Sequence, residues 1–277
     1  MNLSKGLMVA GVAATAATLM LAPTANAASL RITVDNLAPS NGTALTPTWF
    51  GFHDGTFDLY NRNEAVTPGL ESLAEDGDSA LLNSEFLAAG GGTVQGVVGG
   101  PGSSVPGPIL PQAQSSFLVD LDTTAPSSQY FSYAAMVLPS NDFFIANGNP
   151  LAHQIFDDAG SFLGADFVVA GAEVLDAGTE VNDESPENTA FFGQTAPNTG
   201  VTENGVVTLA EDGFIPGGNI LSSDDFFNGD FTADGYNVAR IRVELVEDDA
   251  TAVPEPGSIL ALFAVGGFLA SRKFQQA

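Results

Sequence analysis

"RIRVELV", residues 240–246, decides how this chain is read. Ile241, Val243 and Leu245 alternate with Arg240, Arg242 and Glu244. That period of two sends successive side chains to opposite faces of a β-strand, one for a core and one for water. The same alternation opens the body of the chain in "RITVDNL" (31–37), with Ile32 and Val34 on one face, and returns in "SFLVDLD" (116–122), with Phe117, Val119 and Leu121. "YFSYAAMVLP" (130–139) and "DFVVAGAEVL" (166–175) are more continuously apolar and read as interior strands, the second ambiguously.

Helical signals are sparse. In "TPGLESLAEDG" (67–77), Thr67 can cap, Pro68 suits a first turn, Leu70, Leu73 and Ala74 share a face, and Gly77 can stop the helix. "AAGGGTVQGVVGGPGSSVPGP" (88–108) has the composition of a long surface loop inside one domain. Residues 183–235 are again loop-rich. The pattern predicts an all-β chain, an antiparallel β-sandwich of about eight strands with one short helix and long loops, closed by residues 240–246.

The two ends read as signals rather than structure. Lys5 precedes the apolar stretch "GLMVAGVAATAATLMLAPT" and the small-residue site "ANA" (25–27), so residues 1–27 are read as a secretory signal peptide; a membrane anchor is the competing reading. At the other end, residues 251–277 contain Pro254-Glu255-Pro256, then 16 uncharged residues and the basic pair Arg272 and Lys273. Sixteen residues make about 24 Å of helix, slightly short of a hydrocarbon core of about 30 Å. This tail resembles the PEP-CTERM sorting signal of Gram-negative bacteria. The resemblance implies an exosortase-type processing enzyme as a partner, a short transmembrane helix before processing, and an extracellular or cell-surface location. A plain C-terminal anchor remains the alternative.

Between the two signals the chain is strongly acidic. Glu255 is the only acid outside residues 28–253, and Lys5, Arg272 and Lys273 are the only bases. Of 33 acids and 7 bases, that stretch therefore keeps 32 and 4, a formal charge of −28. Repulsion excludes nucleic acid as a partner and disfavours an anionic lipid surface unless cations bridge it. There is no cysteine, which rules out disulfides, thiol catalysis and Cys-ligated zinc.

Acid is concentrated in "VLDAGTEVNDESPE" (174–187), where Asp176, Glu180, Asp183, Glu184 and Glu187 meet no base. In a second segment, "LPSNDFFIAN" (138–147), Asp142 lies beside Phe143 and Phe144, which should pin its loop to the core. "ITVDNL" (32–37), "LTPTWFGFHDG" (45–55), "AEDGDSALL" (74–82), "MVLPSNDFFIAN" (136–147) and "VLDAGTEVNDE" (174–184) follow one another in an order that resembles bacterial proteins with a spondin_N domain, the module of F-spondin and mindin. The resemblance spans Leu30 to Val246, so a spondin-like domain is placed at residues 28–250. It implies a β-sandwich related to the calcium-and-lipid-binding fold, with one Ca²⁺ held by loop carboxylates. The family's metal pattern falls on Asp142, Asp176 and Glu180. "LSSDDFFNGDFTADGYN" (221–237) departs from the family, so a partner-binding role for that stretch is not carried over.

Electrostatics supports such a site. Three carboxylates about 5 Å apart repel by roughly 3 kcal/mol per pair at an effective dielectric near 20, and about 10 kcal/mol in all must be offset. A hard, oxygen-only ligand set selects Ca²⁺ over zinc or copper. Asn141 and Asp183 are plausible further contributors; Glu184 and Glu187 read as solvated surface. Glu75, Asp76 and Asp78 imitate a calcium loop, yet Gly77 reads first as a helix stop.

His53, beside Asp54, and His153 are candidate general bases that read better as structural residues. No G-x-S-x-G elbow, Walker loop or H-E-x-x-H helix is present. The expectation is an exported, non-enzymatic, calcium-binding protein of adhesion or of extracellular-matrix and biofilm association, with acidic extracellular polysaccharide or surface proteins as partners. The alternatives are a carbohydrate-active hydrolase or sugar-binding module, and a purely structural matrix protein.

Overall fold

The computed structural model describes residues 27–100 and 106–246. The signal-peptide reading of residues 1–27 and the sorting-signal reading of 251–277 therefore fall outside the described residues, apart from Ala27. Among those described, no helix is long and apolar enough to cross a membrane.

The chain is an all-β antiparallel sandwich. Its first and last strands, β1 (Ala27–Asn36) and β11 (Asn237–Leu245), pair at the centre of a four-stranded sheet, with Ile32 opposite Val243 and Val34 opposite Ile241. β5 (Gln114–Asp122) and β8 (Ala165–Ala170) form its edges. The second sheet has seven strands. β10 (Thr208–Leu209), β9 (Leu175–Asp176), β7 (Phe143–Ala146), β6 (Tyr130–Leu138), β3 (Thr48–His53) and β4 (Gly92–Val98) lie in that order, and β2 (Ala44–Leu45) also pairs with β6.

The alternating segments place their apolar faces between the sheets. Leu30, Ile32 and Val34 of β1 and Ile241 and Val243 of β11 are fully or almost fully buried against Phe50, Phe52, Phe131 and Val137 of the larger sheet. The other face of the larger sheet is also covered. Trp49, Ala134, Phe144 and Leu175 pack there under two helices, α1 (Pro68–Asp76) and α2 (Ala80–Ala89). A sheet buried on both faces has no use for polar alternation, so β6 is apolar almost throughout.

The helix boundaries of α1 follow the capping residues. Thr67 Oγ1 accepts the Leu70 N–H at 3.3 Å, Pro68 stands in the first turn, and Gly77 ends the helix with φ of 69°.

Several expectations are corrected. Among the described residues there are eleven strands rather than about eight, because two-residue ladders and β4 escape a periodicity reading. The described residues hold two α-helices rather than one. α2, "ALLNSEFLAA", carries apolar residues around its circumference, with Leu82 and Phe86 buried and Leu81 and Leu87 exposed, so it shows no stripe. The glycine-rich stretch expected as loop contains β4. Its glycines make room: a Cβ at Gly96 would press on the Phe50 ring and one at Gly92 on Phe86. "DFVVAGAEVL" is not one interior strand. Its first half is the edge strand β8, and after a single 3₁₀ turn (Gly171–Glu173) its end enters the other sheet as β9.

The register of β11 gives a direct test. Ile241→Ala should lower unfolding free energy by about 2–5 kcal/mol, as a buried large-to-small change does. Leu245→Ala, at 46% exposure, should stay within about 0.5 kcal/mol. Equal losses by chemical denaturation would contradict this register.

Candidate metal centre

Asp142 lies in the turn from β6 to β7. Ser140 holds that turn, its Oγ donating to the Val137 carbonyl at 2.6 Å and accepting the Phe143 N–H at 3.1 Å. Phe143 and Phe144 then anchor it on both sides of the sheet. Phe143 packs on Phe231 in the inter-sheet core with centroids 5.4 Å apart, and Phe144 is sealed beneath the helices. The strand that follows pairs with β9, where Phe143 faces Asp176 and the Ala177 N–H donates to the Asp142 carbonyl at 3.3 Å. Asp142 and the "DAGTE" segment (176–180), 34 residues apart in sequence, thereby become neighbours.

The acid is completely enclosed, with 0% exposure. Its Oδ2 accepts the Thr179 N–H at 2.8 Å, the Glu180 N–H at 3.1 Å and the Thr179 hydroxyl at 3.2 Å. A left-handed Gly178, φ of 67°, produces the turn that aims these amides inward; a Cβ there would also crowd the Val206 backbone. Asp176 Oδ1 accepts the Gly178 N–H at 2.7 Å, and its Oδ2 accepts from Asn182 Nδ2 at 2.9 Å. Glu180, 4% exposed, accepts the Gly200 N–H on Oε1 at 3.0 Å, and a Cβ at residue 200 would displace that carboxylate.

These acids are under-neutralised. Burial pushes the Asp142 carboxyl above the ordinary range against the pull of its amide donors. Burial, then the Asp142 charge, raises Asp176 to about 6. Burial, then the Glu75 charge, raises Glu180 to about 7. The ion pairs among the described residues join Arg240 to Asp166 and Arg242 to Asp35 and Glu244, all on the four-stranded sheet. None reaches this cluster. Three buried oxygens, Asp142 Oδ1, Glu180 Oε2 and Asn182 Oδ1, have no hydrogen-bond partner in the protein. Buried acceptors are nearly always satisfied, so orphaned carboxylate and amide oxygens fit a hard cation such as Ca²⁺.

The three acids predicted from sequence thus share one region, although among the described residues no three acid or histidine side chains form a ready-made metal cage. Asp142 is the common member. Its charge raises both Asp176 and Glu180. The other candidates have different work. Asp183 caps a turn through the Ser185 N–H, and Asn141 points toward the Asn188 carbonyl. Glu184 is not solvated surface: it is 3% exposed and clamps the 215–220 loop through the Ile215 and Ile220 N–H groups. Glu187 is exposed, as expected.

Glu75, read with a helix end, is buried, and that burial raises its carboxyl above the ordinary range. Its helix periodicity was visible in sequence; its neighbourhood depended on the packing of α1. His53 is sealed in the core, its Nδ1 accepting the Gly55 N–H at 3.0 Å and its Nε2 2.9 Å from Ser132 Oγ, which requires the proton on Nε2. His153 stacks on Phe167 with centroids 3.9 Å apart.

Comparison with known protein families and with curated proteins returns no match. The likeness of Leu30–Val246 to spondin domains rests on its motifs alone.

The raised acids set a pH dependence. A carboxyl whose folded pKa exceeds its unfolded value stabilises the fold below the unfolded value, near 4, and loses that contribution as pH rises through the folded one. Here that loss runs through about 6 for Asp176 and about 7 for Glu180. Burial lowers His53 and His153 to about 4, so their stabilisation is lost only as pH falls below the ordinary 6.5. In chelator, the melting temperature should fall between about pH 6.5 and 8, a window where the histidines' contribution is fully present and no longer changes with pH, and excess Ca²⁺ should abolish the fall. A flat or rising profile in chelator would contradict these shifts.

Proposed function

We propose that the chain is an exported calcium-binding domain of spondin type whose ion locks the loops at one end of the sandwich. Its work is adhesion or matrix association at the cell surface. The observation that carries this is Asp142, wholly buried, with one oxygen gripped by the "DAGTE" amides and the other unpartnered. Asp142, Asp176 and Glu180 would hold Ca²⁺, assisted by the Asn182 amide oxygen. Backbone carbonyls and water complete the six to eight oxygens such an ion takes. Gathering these ligands requires side-chain rotation, which suits the weak to moderate affinity of extracellular calcium modules, about 10⁻⁴ to 10⁻³ M.

The export reading rests on residues 1–27 and 251–277, whose patterns resemble a signal peptide and a PEP-CTERM tail processed by an exosortase-type enzyme. With a formal charge of −28 over residues 28–253, attachment to acidic polysaccharide needs bridging cations. A second reading, a sugar-binding module, is favoured by one feature. An open pocket of about 500 Å³ beside Asp176 is lined by Phe214 and by Asn182, Glu203, Glu211 and Asp212, whose side-chain oxygens suit sugar hydroxyls.

At Ca²⁺ ten times its dissociation constant, mass action adds about 1.4 kcal/mol. For a domain of this size, that raises the melting temperature by about 3–6 °C over chelator. Asp176→Ala should erase the difference. Identical melting of the wild-type protein in both conditions would remove the calcium site. Calcium-dependent retention on envelope polysaccharide without reducing-sugar release supports adhesion; release of reducing ends would replace it with hydrolysis.

A further inference from the structure

Bases are scarce between residues 28 and 253, and their placement is uneven. Of Arg31, Arg62, Arg240 and Arg242, three stand on one surface. Arg31 on β1 and Arg240 and Arg242 on β11 alternate with the buried Leu30, Ile32, Ile241 and Val243, so all three belong to the solvent face of the four-stranded sheet. Strand pairing adds Asp35, Asp120, Asp122, Asp166 and Glu244 to that face, which therefore carries a formal −2 of the −28. An anionic partner is repelled least there.

At one end of the face lies an open groove of about 470 Å³, with Asp35, Leu37, Gln112, Gln114, Arg240 and Arg242 in its lining. Two arginines there meet one acid. They are held differently. Asp166, outside the groove, takes two N–H groups of Arg240, from Nε at 2.7 Å and from Nη2 at 2.6 Å. Asp35 takes only the Nη2 of Arg242, at 3.1 Å, and accepts from Gln114 Nε2 on its other oxygen. Arg242 Nε is enclosed and has no acceptor. A buried donor is nearly always satisfied, and the acceptor best matched to a guanidinium edge is a carboxylate. Gln112 accepts the Ser40 hydroxyl on Oε1 at 3.2 Å, so its amide NH₂ remains available as a donor. Leu37 adds an exposed apolar contact.

We propose that this groove binds a uronate unit of an acidic polysaccharide, with the carboxylate on Arg242, hydroxyls on Asp35 and Gln112, and the C–H face of the ring on Leu37. This rests on the polysaccharide reading above and adds to it a contact that needs no bridging cation. Hydroxyls both donate and accept, which suits a lining that mixes a carboxylate, amides and guanidinium groups. An acidic peptide brings the carboxylate without them. The Asp142 turn is on the other sheet, and in about 0.1 M salt charges more than about 10 Å away are largely screened, so the lining decides which ligand enters.

The test is calorimetric titration of the mature protein with an oligogalacturonate, in chelator and about 0.1 M salt. The wild type should bind it, and should bind a neutral oligosaccharide of the same length about tenfold more weakly or worse. Arg242→Gln should weaken binding about tenfold or more, and Arg242→Lys, which keeps the charge without the planar fork, should recover little. Gln112→Ala trims an exposed side chain and should cost about threefold. Arg62→Gln removes the same charge away from this face and should change affinity by less than about twofold. Melting curves show that each variant is folded. Absence of wild-type binding, or equal losses in Arg242→Gln and Arg62→Gln, overturns the groove. Equal affinity for the neutral oligosaccharide overturns the role of the carboxylate, and equal affinity for polyglutamate replaces the sugar with an acidic peptide. If the groove fails while calcium-dependent retention on envelope polysaccharide persists, the adhesion reading stands and its contact lies elsewhere. If both fail, the polysaccharide partner is removed.

Discussion

A single buried carboxylate organises one end of this molecule. Asp142 is held in place because the backbone amides of Thr179 and Glu180 have no better acceptor, and those amides point inward because Gly178 adopts a left-handed turn. The loop that carries those amides is fixed by residues 200–206. Val181 bonds to Val201, Glu203 to Thr179, and Gly205 to Gly178. Removing the charge on Asp142 leaves three donors without a charged acceptor; keeping it leaves a buried anion with one bare oxygen. A bound cation resolves that conflict without giving up the donors, since it meets the oxygen they do not use.

The sandwich provides the rigid frame. Phe143 and Phe144 enter cores on opposite faces of the larger sheet, so the turn before them is fixed from two directions. β9 then sets the spacing to "DAGTE", because the pairing of Phe143 with Asp176 leaves no freedom of register. Loops at the ends of a sandwich commonly carry its function. Here Asp142 lies in the turn between β6 and β7 and Asp176 and Glu180 on the segment it pairs with, while the described ion pairs lie on the other sheet. That separation keeps arginine out of the position a cation would take.

Strands with one solvent face were legible in the sequence, because alternation reports half-burial directly; β1 and β11 are the examples. β4 was hidden because its glycines serve neighbouring aromatic rings rather than turns, and α2 because helices with apolar residues all round show no stripe. The change of sheet at Gly171–Glu173 was invisible because both halves of the run are apolar. Asp142, Asp176 and Glu180 were named from motifs, and physical argument explains their grouping only once β7 and β9 are seen to pair. The burial of Glu75 was not legible in advance, since it depends on where α1 lies against the sheet. Glu184 was misread for a related cause: its partners are backbone amides 31 and 36 residues away, which composition does not reveal.

The central claim is that a hard cation meets the unpartnered oxygen of Asp142. Crystals of the mature protein grown in calcium and measured at a long wavelength would locate the ion by its anomalous signal. The account predicts a peak about 2.3–2.6 Å from Asp142 Oδ1, with further oxygen ligands from the acids around it. A clear map with no peak there, and a water or a proton-sharing carboxyl in contact with that oxygen, would contradict it.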